Sequence, residues 1–440
     1  MKNEYQEMIT TVSTQVAKTF LSHEDNLAAR ATLLDADIAE ITRQIGVETT
    51  KMVLEHVRDE LVKKNQHDGF VVQKRPLIRF NSIFGPIELR SPYLWKPYVG
   101  AKPLKNTMHI THHGRSDAVT RALADFGSEE SFGQAAKRFT EHYKYALHST
   151  TVSRVTKQVA DEAFAYVEQT LSQADEHART GSGGVEQMLV ELDGCEIRTA
   201  VFIPVENSEE TTPVYKNPKK QKILNWRDVR IGLARPLDSR SKTYVGKKDS
   251  YPEVVSDLFQ AAVLEGMSPH TQVIGVGDGG IGLKEALEKQ FPTLQFILDK
   301  PHLKDHLYET AEALGISQPD RTAWVKPRLD AISQGNVEQV KKELDAEYAK
   351  TPHERVRRLL GYLTRFAEAI DYTRFAERGY PIGSGEVESA HKAIPQKRLK
   401  LPGACWHPDS INPMVALRIL RANDWWDDFW TGKAEEKLAA

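Results

Sequence analysis

Cysteine is almost missing: the 440 residues contain only Cys195 and Cys405. Two isolated thiols cannot build a disulfide framework or a cysteine-based zinc cluster. Free thiols in a chain of this length point to a reducing compartment, and a cytoplasmic location is expected. No stretch approaches the ~20 consecutive apolar residues of a membrane span, so no membrane partner is expected. The opening Met1-Lys2-Asn3-Glu4-Tyr5 is polar, unlike a secretory leader. Excess charge of one sign is missing too: 59 Lys and Arg face 61 Asp and Glu, a net charge of −2. That excludes a uniformly basic surface, although local basic clusters can still meet phosphates. Repeats and low-complexity tracts are absent. Hydrophobic content of 40% and charged content of 27% belong to an ordinary globular chain. Single cores rarely exceed ~250–300 residues, so several domains are expected.

Proline is absent from residues 1–66. There Leu33, Leu34, Ile38, Ile41 and Ile45, then Met52, Val53, His56, Val57, Leu61 and Val62, recur at three- and four-residue steps, which predicts amphipathic helices. Prolines at 76, 86, 92, 97 and 103 then exclude helix, and 67–110 reads as a small β-module with turns at Asn81, Gly85-Pro86 and Ser91-Pro92. Residues 111–180 become helical again. Glu130–Phe139, followed by Ser149-Thr150-Thr151-Val152-Ser153-Arg154-Val155, fits a helix-turn-helix with Ser149 and Thr150 as caps. Thr151, Ser153, Arg154 and Lys157 would then face DNA. The same residues suit a plain helical hairpin equally well. Gly181-Ser182-Gly183-Gly184 reads as a flexible joint.

From residue 185 the rhythm is α/β. Strands are expected at 187–193, 196–203 and 226–234 as an antiparallel meander, then at 272–277 and 294–299, with helices at 251–265 and 280–290. Residues 302–375 read as wholly helical, and 376–440 open with a helix near 385.

Three acidic positions carry the chemistry. Asp193 ends the apolar run Gln187–Leu192 and precedes Gly194; Asp278 ends Val273–Gly277 and precedes Gly279-Gly280. Glu388 lies just inside a helix opening from Gly383-Ser384-Gly385, with Ser384 as its cap. Each context alone suits a turn or a helix start. Together, carboxylates at strand ends and a helix start can converge on two Mg²⁺ ions, with Mn²⁺ as a substitute. Such ions, about 3.5–4 Å apart, clamp the attacking and leaving oxygens of a phosphoryl transfer. Glu386 is the reserve for Glu388. Asp299-Lys300-Pro301-His302, with Asp305 and His306, forms a fourth polar cluster, suited to a supporting role near metal, to phosphate contact or to a purely structural one.

Basic residues gather at Lys216, Lys219, Lys220, Lys222 and Arg227, at Lys242, Lys247 and Lys248, and at Lys392, Lys397, Arg398 and Lys400. With His391 beside Glu388, they are candidate phosphate contacts, although most such clusters are solvated faces. Trp425, Trp426, Phe429 and Trp430 suit a closing helix packed on the core, and Trp406 suits burial or base stacking.

Taken together, the chain resembles bacterial insertion-sequence transposases of the ISKra type, within the DDE class. The resemblance rests on Leu192-Asp193-Gly194, Trp226–Arg230, Gly277-Asp278-Gly279, Asp299-Lys300-Pro301-His302 and Gly383–Ala390, and on Lys-Arg-Leu-Lys at 397–400, Trp406 and Asp427–Trp430. It covers roughly 185–430 and only loosely the N-terminal third. It implies an α/β, ribonuclease-H-like core over 185–301 and 376–440, interrupted by the helical insertion 302–375. By that pattern Asp193, Asp278 and Glu388 hold the metals, and Asp299 and His302 form an accessory Asp-x-x-His. It further implies cleavage and strand transfer of DNA, double-stranded partners (terminal inverted repeats and target), homo-oligomerisation on DNA and nucleoid association. A nuclease that only hydrolyses and an inactive domesticated DNA-binding protein are the alternatives. The chain departs from the pattern at His391, where relatives often carry cysteine, at Glu386, where they carry a small or apolar residue, and at Pro395, expected to bend or end the Glu388 helix. The β-module also lacks zinc-binding cysteines.

Overall fold

The computed structural model describes residues 3–23, 32–174, 184–204 and 220–439. Lys216, Lys219 and the glycines 181 and 183 lie outside the described residues. The chain forms two compact units, Met1–Leu123 with Ala136–Leu147, and Ala124–Ala135 with His148–Ala440.

In the first unit, helix α1 spans Asn3–His23 and α2 spans Leu34–His67. The two apolar series in 33–62 belong to one uninterrupted helix. Six short strands follow: β1 Val71–Lys74, β2 Leu77–Ser82, β3 Gly85–Arg90, β4 Tyr93–Lys96, β5 Val99–Ala101 and β6 Gly114–Arg115. They form two three-stranded sheets, β1-β4-β5 and β3-β2-β6. Strict alternation along β2 and β3 buries Ile78, Phe80, Ile87 and Leu89, which pack with Leu104, Ile110 and the α2 residues Val47 and Leu54.

The second unit is mixed α/β. Helices α3 (Asp117–Glu129) and α4 (Phe132–Tyr143) are shared by sequence between the units, and α5 (Ser149–Ser172) belongs to the second. A five-stranded sheet has the order β11-β10-β7-β8-β9, built from β7 Gln187–Pro204, β8 Lys220–Pro236, β9 Thr243–Lys247, β10 Gln272–Gly277 and β11 Leu294–Leu298. β7, β10 and β11 run parallel, while β7, β8 and β9 form an antiparallel meander. The parallel strands are near-continuous apolar runs because they are covered on both faces. Helices α6 (Tyr251–Leu264) and α7 (Leu283–Gln290) connect them. A helical block follows: α8 Lys300–Ala313, α9 Gln318–Ser333, α10 Val337–Lys350, α11 Glu354–Arg365 and α12 Tyr372–Glu377. The chain then returns to the sheet through α13 (Gly385–His391) and closes with α14 (Ile411–Ala422) and α15 (Trp426–Ala439). Trp406, Trp426, Phe429 and Trp430 are buried, as a packed closing segment requires. Among the described residues, no helix is long and apolar enough to cross a membrane.

Several local expectations are corrected. Asp193-Gly194 makes no turn and does not end a strand: 187–193 and 196–203 belong to one strand of 18 residues. β8 pairs with it from Met188 to Pro204, and this ladder outweighs the turn preference of Asp-Gly. The cap of α5 is His148, whose Nδ1 accepts from the Thr150 N–H, rather than Ser149 or Thr150. Ser384 flanks α13 without capping it. Pro395 does not end the Glu388 helix; a π-helical turn over Lys392–Gln396 absorbs the missing N–H, and helix resumes at Lys397–Leu399.

The turn after Asp278 does need its glycine. Gly279 has φ +77°, and a Cβ there would lie 2.8 Å from Leu298 and 2.9 Å from the Phe366 ring. Gly279→Ala is expected to destabilise the protein by roughly 2 kcal/mol or more, combining left-handed strain with overpacking. Urea unfolding of the two forms measures it; equal midpoints would refute the need for glycine.

Candidate active site

Register decides which residues meet. Between β7 and β10 the pairing offset is 272 − 187 = 85, and 278 − 193 gives the same value. Between β10 and β11 the offset is 294 − 273 = 21, again the difference 299 − 278. Extending these registers sets Asp193 level with Asp278 and Asp299, which each lie one residue past the end of β10 and β11, strands spaced about 5 Å apart. The ladder continues through the last step, since the Asp299 N–H donates to the Gly277 carbonyl at 2.8 Å.

Each aspartate is fixed differently. Asp278 Oδ1 accepts from the Gly280 N–H at 2.8 Å, and its carbonyl accepts from the Tyr362 hydroxyl at 2.7 Å. Asp193 Oδ1 accepts from the Gly194 N–H, and its Oδ2 lies 3.5 Å from His391 Nε2. Burial raises the Asp193 pKa, with the nearby Asp278 adding to the effect and His391 opposing it. Burial likewise lowers that of His391, against the pull of Asp193. Asp299 is fully buried. Its Oδ2 accepts from the Ser384 hydroxyl at 2.5 Å, while its Oδ1 has no hydrogen-bond partner. Burial raises its pKa, opposed by the Ser384 bond and His302. A buried carboxylate oxygen left unsatisfied is costly unless something else takes it up.

Glu388 joins this row from α13. Ligand atoms of Asp299, His302 and Glu388 all lie within 4.8 Å of one another. Glu388 thus gathers with Asp299 and His302. Three such donors, with His302 Nε2 3.8 Å from Asp299 Oδ2, fit a divalent cation, and Asp278 and Asp193 continue the same acidic row.

Glu191 was not foreseen. It is 1% exposed, two residues before Asp193 on the same strand face, and its Oε2 accepts from the Val387 N–H at 2.8 Å. That bond ties the helix carrying Glu388 to the strand carrying Asp193. A lone acid inside the apolar run, in phase with Asp193, was the available signal. Burial pushes its pKa up to about 7, the Val387 bond opposing and Glu386 reinforcing the rise. Glu386, the reserve ligand, is engaged elsewhere: Arg235 Nη2 lies 2.7 Å from its Oε1 and Lys242 pairs with its Oε2. Burial works to raise its pKa, but these two partners outweigh it and leave it low.

The expected DNA contacts divide. Lys220, Lys222 and Arg227 are exposed on the β7–β8 hairpin; Arg154, Lys157, Lys392, Lys397 and Lys400 are exposed; Thr151 and Ser153 are half-buried. Lys397 pairs with Glu129. His391 and Arg398 are corrected: both are 3% exposed, so neither offers a surface to phosphate. Arg398 instead donates to the Gly127 carbonyl and stacks between Phe132 and Trp406, and burial lowers its pKa to about 10.

The raised Glu191 pKa has a definite sign. The folded carboxyl holds its proton more tightly than the unfolded one, whose pKa is near 4.5, so its stabilisation is complete at acid pH and is lost as pH rises towards about 7. Metal-free protein should lose roughly 3 kcal/mol of stability across that window from this group. Glu191→Gln keeps an acceptor for Val387 and should flatten that slope. Denaturant unfolding at pH 5 and pH 8 tests it, and an unchanged slope refutes it.

No protein-family model matches the chain, and no curated protein does. Among solved structures, the chain is similar to the Drosophila P element transposase strand transfer complex, at 12% identity and a TM-score of 0.24, over 77% of this chain and 84% of that one. It is also similar to the Mos1 transposase paired-end complex with left transposon end, at 15% identity and a TM-score of 0.15, over 59% and 78%. A pre-cleavage Mos1 transpososome gives 14% and 0.16, over 59% and 78%.

Proposed function

We propose that the chain is a DNA transposase of the DDE class, similar to the ISKra type, that cleaves DNA strands and transfers them. The observation that carries this reading is the acidic row: three aspartates set level by the register of adjacent parallel strands, with Glu388 brought to Asp299 and His302. An antiparallel meander extended by two parallel strands, with a helical block before the last acidic helix, supports a ribonuclease-H-like core. A helix-turn-helix within 130–157 belongs to the same reading, and multimerisation is expected because two DNA ends must be paired.

Asp193, Asp278 and Glu388 would hold the cations, with Asp299 and His302 as further donors beside Glu388. Mg²⁺ or Mn²⁺ bound there would supply activation of water and then of a DNA 3′-hydroxyl, and neutralisation of charge at phosphorus. The chain's own part is positional. Ser384 aims Asp299, Tyr362 and Gly280 hold the Asp278 loop, and Val387 bonded to Glu191 sets the helix that presents Glu388. His391 lies beside Asp193 inside the core.

Purified protein incubated with DNA carrying its element's ends and Mg²⁺ should nick those ends and join free 3′ ends to target DNA. Asp278→Asn and Glu388→Gln should abolish both steps while retaining DNA binding. Full activity in either variant would sink the assignment, and cleavage without joining would make the protein a nuclease. Ser384→Ala should lower activity about 10–100-fold, as expected when a ligand loses its orienting hydrogen bond. Raised Mg²⁺ should partly restore the Ser384 variant and leave Asp278→Asn inactive.

A further inference from the structure

Beyond its paired body, the β7–β8 hairpin continues as an arm. β9 pairs with β8 only from Arg230 to Ala234, so the outer edge of β8 from 220 to 229 has no partner strand among the described residues. Every second residue faces one side, and directly paired residues share a face. Arg198 stands opposite Trp226, Ala200 opposite Leu224, Phe202 opposite Lys222 and Pro204 opposite Lys220. On this face Phe202 is 60%, Trp226 55% and Leu224 46% exposed. From Glu196 to Pro204 and from Lys220 to Asp228 this face carries three cations, Arg198, Lys220 and Lys222, and one pair of acids at its base, Glu196 opposite Asp228, while Arg227 belongs to the other face.

We propose that this face binds an unpaired DNA strand, with Trp226 and Phe202 as stacking platforms and Arg198, Lys220 and Lys222 gripping the backbone. Exposed rings alternating with cations suit bases that have left the duplex, because each base then offers a free π-face. Paired bases are already stacked on each other and would leave the rings unused. The two rings lie four strand positions apart, about 13 Å, far enough to take separate bases. Pairing with a second copy of the arm is the alternative occupant, and the oligomeric state decides it. Lysines also shield an open sheet edge from such pairing. The inference adds to the proposed transposase a surface for opened DNA ends, but its test needs no catalysis.

The test is fluorescence anisotropy of the full chain in EDTA, with a labelled oligothymidine and a labelled duplex of equal length. Trp226→Ala combined with Phe202→Ala should weaken oligothymidine binding about 10-fold or more, given the usual loss per stacked base, and leave duplex binding unchanged. Trp226→Phe should recover most of the affinity. Asp278→Asn should bind like wild type, so a failed catalytic reading leaves this result interpretable. Equal oligothymidine affinity in the double variant overturns the proposal. So does a shift in oligomeric state by light scattering with DNA affinity intact, which would make the face a contact between copies.

Discussion

The parallel hydrogen-bond ladder joining β7, β10 and β11 is the constraint from which the site follows. A one-residue slip in either pairing would turn a whole strand's side chains to the opposite face. Such a slip is opposed by the buried Val, Ile and Leu residues that flank the aspartates, including Leu189, Leu192, Val276 and Ile297. Hydrophobic burial therefore does the aligning, and the acids ride on it. Bringing three carboxylates level is unfavourable by itself, since like charges repel and burial withholds water. The raised pKa values of Asp193 and Asp299 express that cost.

Around this row the structure spends its polar contacts on orientation. Ser384 would have been an ordinary helix cap; its hydroxyl is given to Asp299 instead. Glu191 sits where an apolar residue would pack more cheaply, yet it accepts the Val387 N–H and so joins the last acidic helix to the first acidic strand. The π-helical turn at Lys392–Gln396 keeps Pro395 within one continuous run, which leaves His391 buried beside Asp193. Each feature trades some local stability for the position of a carboxylate, as functional sites commonly do.

Much of the second unit was legible because its signals are local. The apolar runs at 272–277 and 294–298 are strands, 251–264 is a helix, and 300–377 is helical throughout, each from periodicity and turn residues. Asp278 before two glycines was readable because the chain needs a left-handed residue there. Asp193-Gly194 misled for the matching reason: a local turn signal lost to a ladder formed with β8, some 40 residues away in sequence at that point. Arg398 and His391 looked like members of a basic surface because charge patterning carries no information about burial.

What the sequence determined by itself was most of the strands and helices of the second unit. Composition and periodicity act over a few residues, so they suffice for that. Only the tertiary structure decided that Glu388 meets Asp299 and His302, that Glu386 is taken by Arg235 and Lys242, and that Trp226 and Phe202 share an open face with cations. Those outcomes depend on strand register and on helix placement across gaps of roughly 25–150 residues, which hydrophobic burial sets and no local pattern encodes.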